Sequence, residues 1–282
     1  MPPVVAIIAQ GAMGAGMAAR LTQRGVTVLT SLEGRGEASA RRAEAAGMKP
    51  VGLPEIAGAD IILSIVPPAD ALALAQRLAP PLAAAGTPPV YVDCNAVSPD
   101  TARRVAAALP EGRAVFVDGG IIGGPPRPDG YTPVLYVAGP EAGRLLPLGE
   151  HGLDIRVTPG PIGAASALKL SYAGITKGLT ALATAMMLAA TRSGAAPGLL
   201  QELERSQPEL LRWFGGMIPA MPDKAYRWVG EMREIADFVG PDAGARDLYL
   251  GAARLFAQVA AGPEDTAATL GAFLTAQKSR SA

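Results

Sequence analysis

The chain has 282 residues, 49% of them hydrophobic and 18% charged, and its 25 basic and 25 acidic residues cancel. A neutral chain with no basic block lacks the electrostatic footprint of a nucleic-acid or anionic-membrane binder. With Cys94 the one cysteine and His151 the one histidine, no internal disulfide is possible. A cysteine-built metal site, a multi-histidine site and a histidine-based triad are argued against in the same way.

The length suits one large domain or two ordinary ones. The N-terminal apolar stretch is six residues long and has no basic flank, so it is not read as a secretory signal. No apolar run reaches transmembrane length without a charge or a helix breaker. The expectation is a cytoplasmic protein with neither nucleic-acid nor membrane partners.

Val4–Ile8 reads as a strand. Ala9-Gln10-Gly11-Ala12-Met13-Gly14 follows as a turn, and an amphipathic helix then runs to Gly25. Strand, glycine turn and helix in this order put a helix N-terminus against a dinucleotide pyrophosphate. Gly11, Ala12, Met13 and Gly14 are therefore candidate cofactor contacts. Ala9 stands where the first glycine of such a turn is usual, which makes the turn alone a weak signal.

Val26–Ser31 reads as a second strand and Gly36–Gly47 as a helix. An acidic residue about twenty positions after the turn would accept from a free ribose 2′-hydroxyl. Thr30 and Ser31 stand there, with Arg35 beyond. Hydroxyls with a guanidinium suit a 2′-phosphate, so Ser31 and Arg35 favour NADP. Glu33 keeps NAD open, since a slightly longer strand would bring its carboxylate to the ribose.

Asp60–Val66 is a continuous apolar run closed by Pro67-Pro68, the pattern of a parallel strand covered on both faces. Ala69–Ala85 reads as a helix and Pro89–Asp93 as a strand. Ser98 caps a helix that has Pro99 in its first position and ends near Leu109. Ala114–Asp118 and Pro133–Ala138 are further strands. Strands separated by helices imply βαβ units in a doubly wound, Rossmann-like sheet. Gly160-Pro161-Ile162-Gly163 is a break. Beyond it only helices are read, starting with Ala164–Arg192, which is interrupted by Gly174 and Gly178 alone. The expected organisation is a cofactor-binding α/β domain over 1–160 and an all-helical substrate and dimerisation domain over 161–282.

Four segments in order resemble the β-hydroxyacid dehydrogenase family, which includes 3-hydroxyisobutyrate and 6-phosphogluconate dehydrogenases. They are the turn Gly11–Gly14 with the strand Ala59–Val66, then Asp93-Cys94-Asn95-Ala96-Val97-Ser98-Pro99, then Asp118-Gly119-Gly120-Ile121-Ile122-Gly123-Gly124, and last Gly163–Leu170. Segments beginning at Lys169, Thr176 and Trp228 resemble a narrower branch related to 6-phosphogluconate dehydrogenase. The resemblance implies a nicotinamide cofactor lying along Val66, Pro67 and Asn95. It implies substrate contacts from the backbone amides of Gly123 and Gly124, and Lys169 as the acid/base.

Lysine suits that role by its chemistry. A partly buried ammonium near a helix N-terminus can exchange a proton with a hydroxyl as hydride moves. Tyr172 and Thr176, three and seven positions on, share its helix face and are candidate substrate contacts. Packing alone explains them equally well.

Three positions depart from the family pattern. Ala173 replaces an orienting asparagine, Ile122 replaces the serine of the substrate loop, and Thr176 stands where 6-phosphogluconate dehydrogenases carry an acid. Decarboxylating chemistry is therefore not expected. The group Tyr226-Arg227-Trp228 with Arg233 is read as helix packing with solvated charges. The reaction expected is NAD(P)-dependent hydride transfer to or from a small hydroxy acid or related carbonyl compound, by a homodimer. An imine reductase on the same architecture and a non-catalytic NADP-binding protein are the alternatives.

Overall fold

A computed structural model of the chain describes residues 2–8 and 11–278. Ala9, the alanine of the glycine turn, lies outside the described residues, as does Gln10. The first unit carries β1 (Val4–Ile8), α1 (Ala12–Thr22), β2 (Thr27–Thr30), α2 (Glu37–Ala45), β3 (Lys49–Pro50), α3 (Leu53–Ala57) and β4 (Ile61–Ser64). It continues with α4 (Ala71–Ala84), β5 (Val90–Asp93), α5 (Pro99–Ala108), β6 (Val115–Ile122), β7 (Val134–Ala138) and β8 (Asp154–Val157).

The strands form one eight-stranded sheet in the order β3-β2-β1-β4-β5-β6-β7-β8. The chain starts at the centre, runs out to β3 and returns to the far side of β1. All neighbours pair parallel except β6 with β7. The expected α/β, doubly wound architecture is what the chain adopts.

The apolar runs have the expected cause. In β1, Val5 and Ile7 enter one core, with Met17, Leu21, Leu63 and Val92. Ala6 and Ile8 enter the other, with Ile62, Leu74, Leu78 and Tyr91. A strand covered on both faces must be apolar at every position. Each fully buried large aliphatic side chain contributes roughly 1.5–3 kcal/mol.

Two short strands, β3 and β8, carry no sequence pattern. β8 reads Asp-Ile-Arg-Val, and its Asp154 and Arg156, two positions apart, pair at 3.0 Å. A charged edge of this kind blunts further strand addition. A third difference is larger. β6 does not stop at Asp118 but runs on to Ile122, paired with β7 from Asp118↔Ala138 to Ile122↔Val134. Gly119 and Gly120, read as loop, are strand residues.

The second unit holds most of α6 (Ala164–Arg192), then α7 (Ala196–Ser206), α8 (Pro208–Met217), α9 (Ala225–Phe238), α10 (Ala243–Ala261) and α11 (Pro263–Lys278). The two compact units meet in sequence between Leu170 and Ser171, inside α6. Trp228 of α9 meets Phe256 of α10 edge-on at 5.1 Å. Gly174 does not break α6. A Cβ there would stand 2.9 Å from Tyr249 Oη, so the glycine makes room for α10. By length and composition alone α6 is apolar enough to cross a membrane, with a mean hydropathy of 1.3 over its best stretch.

Candidate active site

The carboxyl ends of the central strands line up. Ile8 pairs with Ser64, Ser64 with Asp93 and Asp93 with Asp118. Ligands of open α/β sheets bind at this edge, where the strand order reverses. Here the reversal lies between β1 and β4.

α1 opens at the same edge. Gly11 is its N-cap, with φ −72° and no side-chain cap. Ala15 N–H donates to Gly11 O at 2.9 Å. The first-turn amides of Ala12, Met13 and Gly14 therefore face outward at the positive end of the helix. Nothing among the described residues lies within 4 Å of where a Cβ of Gly11 would stand. The protein's own packing does not demand a glycine there, and the open space lies over an anion-binding helix end.

Beside it a cleft of about 290 Å³ is lined by Ile8, Ser31, Arg35, Val66 and Leu74, among others. Thr30 is fully buried and donates its hydroxyl to Ile7 O at 2.8 Å, tying β2 to β1. Ser31 Oγ accepts from Glu33 N–H at 3.4 Å. Arg35 is exposed at the rim. Helix end, cleft and guanidinium are groups that could hold a dinucleotide. Pro67 is exposed just past β4, next to buried Val66.

Asn95 is buried and fully engaged. Its Oδ1 accepts from Val66 N–H at 2.6 Å, and its Nδ2 donates to Ser64 Oγ at 2.9 Å and to Asp93 Oδ1. The amide braces the ends of β4 and β5 and the backbone that leads to Pro67. Among the described residues Asp93 Oδ2 has no hydrogen-bond partner. Burial pushes the Asp93 carboxyl up from 3.8 to about 6; the Asp118 charge adds to this, and Asn95 and Lys169 oppose it.

A carboxyl whose pKa is raised on folding favours the fold most while protonated, below its unfolded pKa near 4. That contribution is lost as pH rises through about 6. Asp93→Asn keeps the engaged Oδ1 and carries no charge. Its stability relative to wild type is expected to rise between pH 4 and pH 7 by up to about 3 kcal/mol. Urea unfolding of both proteins at the two pH values measures this, and a pH-independent difference would refute it.

Asp118 builds the start of α6. Its Oδ2 accepts from the N–H groups of Gly163, Ala165 and Ser166 at 2.9, 2.8 and 3.1 Å. Its Oδ1 accepts from Ser166 Oγ at 2.5 Å. One carboxylate thus satisfies most of a helix N-terminus from another element, at the end where negative charge is stabilised. Burial raises its pKa and these four donors oppose the shift.

The same helix turn packs directly on β6. A Cβ on Gly120 would stand 2.8 Å from Ala165 O and 3.0 Å from Lys169 Cβ. Glycine at 120 is what lets α6 lie on the strand. Held there, half-buried Lys169 donates from Nζ to Cys94 O at 3.4 Å. Cys94 itself is buried, and burial pushes its thiol pKa well up. It is a packing residue and not a nucleophile.

Past Ile122 the chain turns at Gly123, where φ is +128°. Gly124 N–H donates to Tyr131 Oη at 3.1 Å. The loop is tied down at its far end, where Arg20 of α1 donates to Arg127 O and Tyr131 O at 3.0 and 3.3 Å. An anion on the Gly124 amide would take the place of the tyrosine hydroxyl.

Two candidates fall in the helical unit. Tyr172 is exposed on α6. The Thr176 hydroxyl donates to Tyr172 O at 2.9 Å, one helical turn back. Ala173 is buried, so an asparagine is not merely absent there but replaced by packing. Trp228 is buried against Phe256, and Lys177 pairs with Glu231 beside it. Trp228 thus takes the packing role expected for its group, while Tyr226 is exposed.

Comparison with known proteins places this geometry. Residues 4–142 match the NAD binding domain of 6-phosphogluconate dehydrogenase, and residues 190–259 match a domain of unknown function, DUF1932. An uncharacterized 28.5 kDa protein in the 7S RNA 5′ region of Methanothermus fervidus is 30% identical over 184 residues, 64% of this chain and 69% of that one. The conserved protein MTH1747, described as structurally similar to 3-hydroxyacid dehydrogenases, is 28% identical with a TM-score of 0.71, over 94% of this chain and 98% of its own.

The chain joins a 6-phosphogluconate dehydrogenase-type NAD binding domain to a DUF1932 domain.

The matched domain makes a nicotinamide dinucleotide the cofactor and oxidoreduction the class of reaction. The Mycobacterium tuberculosis 3-hydroxyisobutyrate dehydrogenase, solved with L-serine, shares the fold at 22% identity and a TM-score of 0.72, over 96% and 99% of the two chains. Three residues of this dehydrogenase-like site were missed from sequence. Arg77 of α4 enters the cofactor cleft, Tyr131 occupies the Gly124 amide, and Asp118 acts on α6. Each works through a partner far away in the chain, and no local pattern marks it.

Proposed function

We propose that this protein transfers hydride between NADP and a small hydroxy acid or related carbonyl compound, with Lys169 as the acid/base. The observation that carries the reading is the placement of Lys169. Its ammonium sits at the carboxyl edge of β5, hydrogen-bonded to Cys94 O, on a helix start fixed by Asp118 and Gly120.

Bound nicotinamide would supply or accept the hydride. In the oxidising direction neutral Lys169 takes the proton of the substrate hydroxyl onto Nζ while the C–H electron pair leaves. In reduction the ammonium returns that proton to the new alkoxide oxygen. Cys94 O accepts from Nζ in either direction and keeps the amine aimed. The amides of Gly123 and Gly124 would hold a substrate oxyanion. Tyr172 and Thr176, one and two turns further along α6, are further substrate contacts. Gly11, Ala12, Met13 and Gly14 would hold the pyrophosphate, and Ser31 and Arg35 the 2′-phosphate. Val66 and Pro67 would border the cofactor, with Asn95 bracing them from beneath.

A second reading, imine reduction, draws on one observation. Ile121 is buried and Ile122 half-buried where the family carries a polar loop residue, which suits a less polar substrate. NADPH consumption with a panel of short hydroxy and keto acids set against cyclic imines separates the readings. Turnover of imines alone would sink the hydroxy-acid assignment. Tight NADPH binding with no turnover on either set would sink both.

We also propose that the protein is a homodimer through α6. Tyr172, Ile175, Leu179, Leu182 and Met186 are all exposed, at alternating spacings of three and four. That spacing forms an apolar stripe of the kind that seats a second helix. Sedimentation equilibrium is expected to give twice the 28.7 kDa chain mass, and Leu182→Glu is expected to return it to one. A monomeric wild type would refute the assignment.

A further inference from the structure

The cofactor cleft has a second cation, and it is held by the residue that argued against NADP. Arg77 of α4 and Arg35 after β2 line the same cleft. Glu33 Oε2 meets Arg77 Nη2 at 2.9 Å, joining the β2 side of the cleft to the α4 side. We infer that Arg77 is a second guanidinium for the 2′-phosphate of NADP, and that Glu33 is its holder and not an acceptor for the NAD ribose. The inference rests on the dinucleotide reading above and deepens it.

Three observations carry it. First, the charged side chains lining the cleft are Glu33, Asp70, Arg35 and Arg77. A ribose with a free 2′-hydroxyl needs one acceptor and no guanidinium, whereas a phosphate dianion is matched by two. Second, Glu33 is already committed to Arg77, so its charge is partly neutralised and its repulsion of a phosphate reduced. Third, both side chains are at least half exposed. Exposed pairs of this kind are weak and exchange readily. A phosphate dianion is the stronger partner for a guanidinium, so Arg77 can leave Glu33 for the ligand while the carboxylate turns to water. Ser31, buried just past β2, adds a hydroxyl to the lining of the same cleft.

The test is binding and not turnover. NADPH and NADH are titrated separately into wild type, Arg77→Ala and Glu33→Gln, followed by cofactor fluorescence. Arg77→Ala is expected to weaken NADPH about tenfold or more and to leave NADH within about twofold. Glu33→Gln is expected to tighten NADPH by a few-fold with NADH unchanged. Equal weakening of both cofactors by Arg77→Ala, or of neither, overturns the inference while leaving the dinucleotide reading intact. Weakening of NADH by Glu33→Gln overturns it too, since Glu33 would then be the ribose acceptor. Wild type that binds neither cofactor refutes the dinucleotide reading and this inference together.

Discussion

Lys169→Ala is expected to lose about 10²–10⁴-fold in kcat while NADPH binds as before and the fold is unaffected. The side chain is half-buried and its Nζ donates to Cys94 O, while the contact of α6 on Gly120 is made by Ala165 O and Lys169 Cβ, which alanine keeps. Lys169→Arg is expected to be nearly as inactive. Its guanidinium keeps the positive charge but cannot lose a proton near neutral pH. That pair of variants separates a proton-transfer role from simple charge stabilisation, because a residue needed only for its charge would be rescued by arginine. The loss should fall on kcat and kcat/KM alike, as for an interaction made in the transition state. Undiminished turnover in Lys169→Ala, with cofactor bound, would remove the lysine from the mechanism.

Asp118→Ala is expected to cost about 3–5 kcal/mol of stability, the largest structural loss of any single change at the site. The carboxylate satisfies three backbone N–H groups and one hydroxyl at a buried helix start. Removing it leaves those donors in low dielectric without acceptors, and takes a negative charge from the positive end of α6. Asp118→Asn is expected to recover little, because an amide group presents an N–H₂ to part of the same donor set. Urea midpoints at constant slope measure the loss, and a midpoint within experimental error of wild type would refute it. The two variants differ in kind. Lys169→Ala should lose turnover with stability kept, whereas Asp118→Ala should lose stability first and turnover with it, since the helix that aims Lys169 is no longer anchored.

The elements that were legible in the sequence are those made by neighbours. Ser98 accepts from Thr101 N–H at 3.2 Å with Pro99 in the first turn, as a local cap should. β1, β4 and β5 showed as unbroken apolar runs because both sheet faces are covered. The family resemblance lay in four segments whose order survives any change of loop between them. β8 was hidden because four residues with two charges make no periodic signal. The true end of β6 was hidden because glycine reads as a turn unless the helix lying on it is known.

Within the site the same division holds. The types and order of Gly11–Gly14, Ser31, Arg35, Asp93–Pro99 and Lys169 could be read along the chain. Which partners they face could not. Asn95 was placed beside the nicotinamide by its position at a strand end, yet its amide is engaged with Ser64, Asp93 and Val66. Glu33 reads as a candidate ribose acid, and only the fold brings Arg77, 44 residues away, onto its carboxylate.

By itself, then, the sequence determined the doubly wound class, the glycine turn at a helix start and the order of the four segments that carry the family resemblance. These follow from short-range rules of periodicity, capping and motif order. Only the tertiary structure decided that Asp118 holds the lysine's helix, that Gly120 admits it, that Tyr131 occupies the Gly124 amide and that Glu33 is paired across the cofactor cleft. The physical reason is common to all four. A hydrogen bond or close contact between residues far apart in sequence leaves no local periodicity, because its geometry exists only once the sheet has brought their strand ends and loops together.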